Sequence, residues 1–220
     1  QRQMCIRDRL NAILDPDTFF LELYNMANYL VEDTNHDTSI PGANLIAGIG
    51  YISGVKCMIM IDDSGIKAGA ASEATIDKAL GCLDIALKQK LPCVHLVESA
   101  GVDLPNYSVK LWSKFGSVFY KKAKLSAAGI PVIAILHGFS TAGGAYQIGM
   151  SDYVIGVKGN GMAALAGSAL LRAATGENAT NSDIGGVEMH SVVTGSVEYL
   201  VNDDAESIIT VRKLIDQLNW

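Results

Sequence analysis

The sequence predicts an α/β fold built on a largely parallel sheet, and three observations carry that reading. Two apolar runs, residues 44–52 and Val55–Asp62, meet at Ser53-Gly54 and read as a β-hairpin. Beyond them, apolar runs of strand length alternate with segments of helical period through short loops, the pattern of strand–helix crossovers. The run Pro131-Val-Ile-Ala-Ile-Leu136 is apolar without interruption, as expected of a strand covered on both faces.

The elements follow in order. Residues 1–9, QRQMCIRDR, lack useful periodicity and resemble translated adapter sequence; the expectation is a non-native segment outside the fold, with a single domain over 10–220. Asp15-Pro16 offers an N-cap and a proline at the first helical position, predicting an aromatic-rich helix over 17–31. After the hairpin, the loop 65–71 precedes a helix over 72–90 with Ile76, Leu80, Leu83 and Leu87 on one face. A strand at Cys93–Val97 closes on Glu98-Ser-Ala-Gly101, and a helix over 109–128 is stopped by Gly129-Ile-Pro131. The strand 131–136, a helix over 142–150 capped by Ser140 or Thr141, and a strand at Tyr153–Val157 come next. A glycine-rich turn at 156–161, a helix near 168–174, a polar segment over 176–186 and a last helix over 203–218 complete the chain.

Composition narrows the function. The 220 residues are 49% hydrophobic and 18% charged, enough for one well-cored domain. A net charge of −6 argues against a nucleic-acid partner. No apolar run approaches the ~18 residues of a membrane span, and no secretory signal is visible, so a cytoplasmic location is expected, or the mitochondrial matrix in a eukaryote. Cys5, Cys57, Cys82 and Cys93 lack metal-ligand or disulfide spacing, and the last three read as core thiols.

Gly143 and Gly144 fall in the first turn of a predicted helix, where each costs about 1 kcal/mol relative to alanine. Two explanations stand side by side. One is close approach of an oxyanion, such as a thioester enolate, to free amides at the helix start. The other is tight packing of helix on strand.

Several segments then resemble one family in the right order. They are Leu91-Pro-Cys-Val-His-Leu-Val-Glu-Ser-Ala-Gly-Val-Asp-Leu-Pro105, Ser126-Ala-Ala-Gly-Ile-Pro131, Thr141-Ala-Gly-Gly-Ala-Tyr146 and Ala173-Ala-Thr-Gly-Glu177, followed by Gly185-Gly186, His190 and Gly195. From about Leu14 onward the chain resembles the amino-terminal half of the carboxyltransferase (β-type) subunit of biotin-dependent acyl-CoA carboxylases, nearest the methylcrotonyl- and propionyl-CoA types. The resemblance implies a crotonase-like (ClpP/crotonase) fold in which ββα units wind into a superhelix. It also implies oxyanion donors among the backbone amides of Ala100 or Gly101 and of Gly143 or Gly144. An acyl-CoA pocket would be lined by Lys67, Ala68, Gly69, Ala142 and Ala145. The cofactor implied is carboxybiotin on a separate carrier, with a biotin carboxylase component as partner and a homo-oligomer of the full subunit. No metal is implied for this chain. Such carboxylation needs oriented partners and a stabilised enolate rather than a side-chain base. The sequence departs from the family at Asn106, where the methylcrotonyl type has arginine soon after Leu-Pro, and at Gly167-Ser-Ala169, where Gly-Pro-Pro is usual.

Other readings are weighed beside it. An enoyl-CoA hydratase or isomerase would share the fold, but hydration needs paired carboxylates, and the expected second acid is Tyr146. Gly138-Phe-Ser-Thr-Ala142 is one residue from a serine-hydrolase elbow, with His190 the only downstream histidine. Gly159-Asn-Gly-Met-Ala-Ala164 is a lone nucleotide-type match and reads as a loop. Lys110, Lys114, Lys121 and Lys124 read as a solvated helix face rather than a CoA-phosphate or partner-subunit contact. His95 and His137 read as satisfied core histidines, and Thr175-Gly176-Glu177 as a helix end. A non-catalytic half-subunit that only binds acyl-CoA is the non-enzyme alternative.

Overall fold

The computed structural model describes residues 5–220. Its elements are α1 (Ile6–Ile13), β1 (Leu21–Glu22), β2 (Leu45–Ile52), β3 (Val55–Asp62), β4 (Ala70–Ala71), α2 (Glu73–Gln89), β5 (Cys93–Val97) and β6 (Gly101–Val102). There follow α3 (Val109–Ala127), β7 (Val132–Leu136), β8 (Phe139–Thr141), α4 (Gly143–Gly149), β9 (Tyr153–Val157), β10 (Met162–Ala164) and α5 (Ser168–Thr175). The chain closes with α6 (Asn181–Gly185), α7 (Val187–Met189), β11 (Tyr199–Val201) and α8 (Asp204–Gln217).

The main sheet has seven strands in the order β1-β2-β3-β5-β7-β9-β11. β2 and β3 form the expected hairpin, paired from Leu45↔Asp62 to Ile52↔Val55, and every step from β3 to β11 is parallel. After β3, β5, β7 and β9 the chain makes a short strand and then a helix. The short strands pair among themselves, β4 with β6 and β8 with β10, both parallel. This is the ββα winding that the resemblance implies.

Side-chain alternation builds the layers. On β3, Met58 and Met60 face the cluster that includes Ile76, Leu83, Phe115 and Val118 of α2 and α3. Cys57, Ile59 and Ile61 face the opposite cluster, with Leu10 and Ile13 of α1 and Val211, Leu214 and Ile215 of α8. The sheet is therefore covered on both sides, which explains the unbroken apolar run of β7 and the full burial of β5, His95 included. Burial pushes the thiols of Cys57 and Cys82 up to about 12 and that of Cys93 to about 11. The helices start where the sequence marks them: Ser72 makes a capping box with Thr75, Ser108 accepts from the Leu111 amide, and Asp203 accepts from Glu206.

Several expectations about the elements change. Residues 17–31 form no helix. Leu21–Glu22 instead joins β2 antiparallel, because Gly48 and Gly50 clear space there: a Cβ on Gly48 would lie 2.5 Å from the Phe20 ring. Asp15 does not cap a helix. Its carboxylate accepts from the Ser53 and Gly54 amides at the hairpin turn and pairs with Arg212 at 2.7 Å. Burial raises its pKa, but the Gly54 amide and Arg212 outweigh that and hold it below the usual range. Of residues 1–9, Ile6–Arg9 belong to α1, and Arg9 makes a buried ion pair with Asp204 of α8 at 2.9 Å; residues 1–4 lie outside the described part. The segment 176–186 carries the short helix α6, and 162–164, read as loop, forms β10.

Candidate active site: the turn after β5 and the start of α4

The turn after β5 and the junction of β8 with α4 lie side by side. Thr141 donates its amide to the Ser99 carbonyl at 2.9 Å, and a Cβ on Gly144 would lie 2.2 Å from that same oxygen. A Cβ on Gly143 would lie 2.2 Å from the Phe115 ring. Both glycines are buried, and side chains there would collide with α3 and with the turn after β5, so close packing, although not of helix on strand, requires glycine at both. The expected cap is also replaced. Ala142 occupies the N-cap with φ +49° and ψ −119°, while Ser140 sits in β8 with its hydroxyl buried and without a hydrogen-bond partner among the described residues. As the first two residues of α4, Gly143 and Gly144 have amides with no intrahelical acceptor.

On the facing turn, Gly101 has φ +87° and its amide donates to Ser99 Oγ at 3.2 Å. Ser99 Oγ in turn donates to the Gly69 carbonyl at 2.9 Å. The Gly101 amide is thus engaged, and the amide of the exposed Ala100 has no acceptor among the described residues. A Cβ on Gly101 would stand 3.1 Å from the Gly143 nitrogen. The two turns meet with only hydrogen between them.

The carboxyl transferase domain family matches residues 2–220. This chain belongs to that family.

Its relatives include a probable biotin-dependent acyl-coenzyme A carboxylase beta2 subunit of Mycobacterium tuberculosis, 41% identical over 97% of this chain and 39% of the relative. The mitochondrial methylcrotonoyl-CoA carboxylase beta chain of Arabidopsis thaliana is 39% identical over 97% of this chain and 36% of its own length. Among solved structures, the geranyl-CoA carboxylase beta subunit of P. aeruginosa superposes with a TM-score of 0.89 at 40% identity, over 99% of this chain and 40% of that one. The transcarboxylase 12S structure with methylmalonyl-coenzyme A bound gives 0.86 at 26% identity, over 97% and 41%. The fold is therefore the crotonase-like fold of carboxyltransferase subunits, and the chain spans about 40% of the length of such relatives.

The carboxyl transferase domain also brings the third expected segment to this place. Lys67–Gly69 abuts the turn after β5: β4 pairs with β6, and a Cβ on Gly69 would lie 2.3 Å from the Glu98 carbonyl. Lys67 already has acidic partners, Glu32 at 2.9 Å and Asp103 at 3.2 Å, and the Glu32 hydrogen bond raises its pKa against partial burial. Ala68 is left-handed at φ +53°, Ala142 adjoins Gly101, and Ala145 is half-buried.

The remaining candidates fall out as follows. Tyr146, where a hydratase would need its second acid, is exposed and packs on Phe119 with ring centroids 5.4 Å apart. His190 bonds to the backbone rather than to Ser140: its Nε2–H donates to the Ala163 carbonyl at 2.7 Å. Of Lys110, Lys114, Lys121 and Lys124, three are ion-paired, and Lys124 is exposed over the Tyr120 ring. Lys110 and Lys114 pair with Glu73, Lys114 with Asp77, and Lys121 with Asp84, lacing α3 to α2. His137 is not a satisfied core histidine, because neither ring nitrogen has a hydrogen-bond partner among the described residues and Glu98 Oε2 stands 3.6 Å from Nδ1. Burial drives its pKa down to about 3.

Sequence reasoning missed a buried polar chain beneath both turns. Lys122 Nζ lies 3.2 Å from His95 Nδ1 and donates to the Gln147 carbonyl at 3.2 Å. His95 Nε2 meets Asp62 Oδ1 at 3.0 Å, and Asp62 Oδ2 accepts from the Glu98 amide at 3.2 Å. The signal was present in the sequence: Leu111, Phe115, Val118, Lys122 and Leu125 form the buried stripe of α3, with a lysine in an apolar position. No helix among the described residues is long and apolar enough to cross a membrane, and none of their His, Cys, Asp and Glu side chains form a group that could hold a metal ion.

Proposed function

We propose that this chain is the acyl-CoA half-site of a biotin-dependent acyl-CoA carboxylase, a single crotonase-like unit (residues 10–220 in the sequence reading) of a larger subunit. Carboxybiotin, borne by another domain or subunit, supplies the carboxyl group when bound. The contribution of this chain is to hold the acyl-CoA and to stabilise the negative charge that develops on its thioester oxygen as the α- or vinylogous carbon becomes nucleophilic. The observation that carries this reading is the meeting of the two turns, with the Ala100 amide unengaged on one and the Gly143 and Gly144 amides on the other. Gly101 serves by lacking a side chain rather than by donating its amide. Fixed donors in such a place act where charge develops, and losing one typically costs on the order of 100-fold or more in rate.

The Lys67–Gly69 turn, with Ala142 and Ala145, borders the acyl-CoA path, and a phosphate there would compete with Glu32 for Lys67. A biotin carrier, a biotin carboxylase component and further copies of the full subunit are the partners, in the cytoplasm or the mitochondrial matrix. Calorimetric titration with acetyl-, propionyl- and branched enoyl-CoA tests the half-site directly: saturable binding is expected, and no heat at millimolar ligand would remove it. Carboxylation of the same series by the full-length subunit with its biotin-carrying partner then fixes the acyl chain.

A further inference from the structure

The Asp62–His95–Lys122 chain lies within the fold, with the Asp62 side chain 12% exposed, and it reaches the turn after β5 at one end and α4 at the other. Lys122 and His95 are 0% and 3% exposed. At one end, Asp62 accepts from the Glu98 amide, the first residue of the turn that carries Ala100. At the other, Lys122 holds the carbonyl of Gln147, one turn along the short helix that begins at Gly143. The intervening histidine spans β5. Its hydrogen-bond pattern fixes its state: Nε2–H donates to Asp62, and Nδ1 accepts from the lysine ammonium. Burial lowers the His95 pKa, with Asp62 opposing, so the ring stays neutral between a cation and an anion. Burial brings Lys122 down to about 8, with Cys93 and Asp62 opposing, and it remains charged at neutral pH.

A purely structural lysine at this depth is costly, since desolvating an ion pair often outweighs the attraction gained and an apolar pair of the same volume is commonly as stable or more so. A tie between two backbone turns that must keep a set spacing is a reason for the charge to be there. We propose that Lys122 is a positioning residue, which through Gln147 on one side and His95–Asp62 on the other sets the spacing between the Ala100 and Gly143 turns. The proposal rests on the carboxyltransferase reading above. Lys122 itself touches no substrate; it acts through the backbone groups it holds.

The test uses the full-length subunit assembled with its biotin-carrying partner. Lys122→Met keeps the length of the side chain and removes the charge. Because the amides grip the enolate more than the neutral thioester, kcat should fall on the order of 100-fold, the cost of a roughly 1 Å misplacement, while the KM for acyl-CoA stays within about threefold. The double variant Asp62→Asn/Lys122→Met removes both charges and lets His95 take its other tautomer and accept from Asn. It should recover thermal stability lost by the single variant without recovering kcat, and it alone decides the matter if the single variant does not fold. Recovery of kcat together with stability, or a single variant with kcat within twofold of wild type, overturns the proposal and leaves the carboxyltransferase reading intact. A wild-type enzyme that carboxylates no acyl-CoA overturns both.

Discussion

The first side-chain carbon of any residue but glycine at position 101 would stand 3.1 Å from the amide nitrogen of Gly143 and 3.2 Å from the Thr141 carbonyl. Gly101 also sits at φ +87°, a conformation that other residues adopt at a cost. Gly101→Ala should therefore strain the turn and cover the Gly143 amide together. In the full-length enzyme a loss on the order of 100-fold in kcat/KM is expected. Steady-state carboxylation assays measure it, and an activity within threefold of wild type would take the Gly143 amide out of the reaction.

Gly144 and Gly149 occupy the same helix in unlike surroundings. A Cβ at 144 would meet the Ser99 carbonyl at 2.2 Å, whereas nothing lies within 4 Å of one at 149. Gly144→Ala should destabilise the fold by more than about 2 kcal/mol, in the range of overpacked cores. Gly149→Ala should be neutral or stabilise by up to ~1 kcal/mol. Urea unfolding of the pair distinguishes packing from mere helix propensity.

His137 should make the protein acid-labile before its carboxylates do. Its folded pKa, about 3, lies below the usual histidine value of 6.5, so the unfolded chain binds the proton that the folded chain refuses. Stability is then complete above pH 6.5 and is lost as pH falls toward 3, with a total effect of several kcal/mol. Arg9 and His95 disfavour the charged ring, while Asp204 and Asp62 oppose them less strongly than burial. His137→Leu should flatten the slope of unfolding free energy between pH 6.5 and 4.5. It should not abolish it, because His95 is also held neutral. An unchanged slope would mean that the ring is solvated or paired in solution.

Arg9 fastens α1 to α8 through Asp204, with both side chains under 10% exposed. Arg9→Met removes this cation from beside the buried Asp204 carboxylate and should destabilise the fold by up to about 3 kcal/mol. Deleting residues 1–9 should lower the melting temperature comparably. A truncated protein as stable as the parent would restore the view that this segment lies outside the fold.

Much of the fold was legible because it rests on local pattern. The hairpin at Ser53-Gly54, β5 and β9 fall on the predicted residues, and α2, α3 and α8 end within a residue or two of their predicted limits. Strands buried on both faces announce themselves as unbroken apolar runs, and helix starts by serine or aspartate. The segments singled out as site candidates, Glu98–Gly101, 141–146 and Lys67–Gly69, do lie together in the fold. The short strands β4, β6, β8 and β10 were not, because two or three residues carry no period. The aromatic run 17–31 misled for another reason. Its helical spacing was overridden by an edge position on β2 that Gly48 and Gly50 hold open.

By itself, the sequence determined the hairpin, the central strands and the long helices, the chemical family, and the glycine-bearing segments after β5 and at the start of α4. Only the tertiary structure decided why those glycines are there and which amides remain unengaged, because both depend on atoms far apart in the chain: Phe115 against Gly143, Ser99 against Gly101 and Gly144. It also decided that one lysine of α3 lies inside rather than on the surface. A helical pattern states which face is buried, but the partners that make a buried charge tolerable, here Asp62 and His95, are supplied by neighbouring strands.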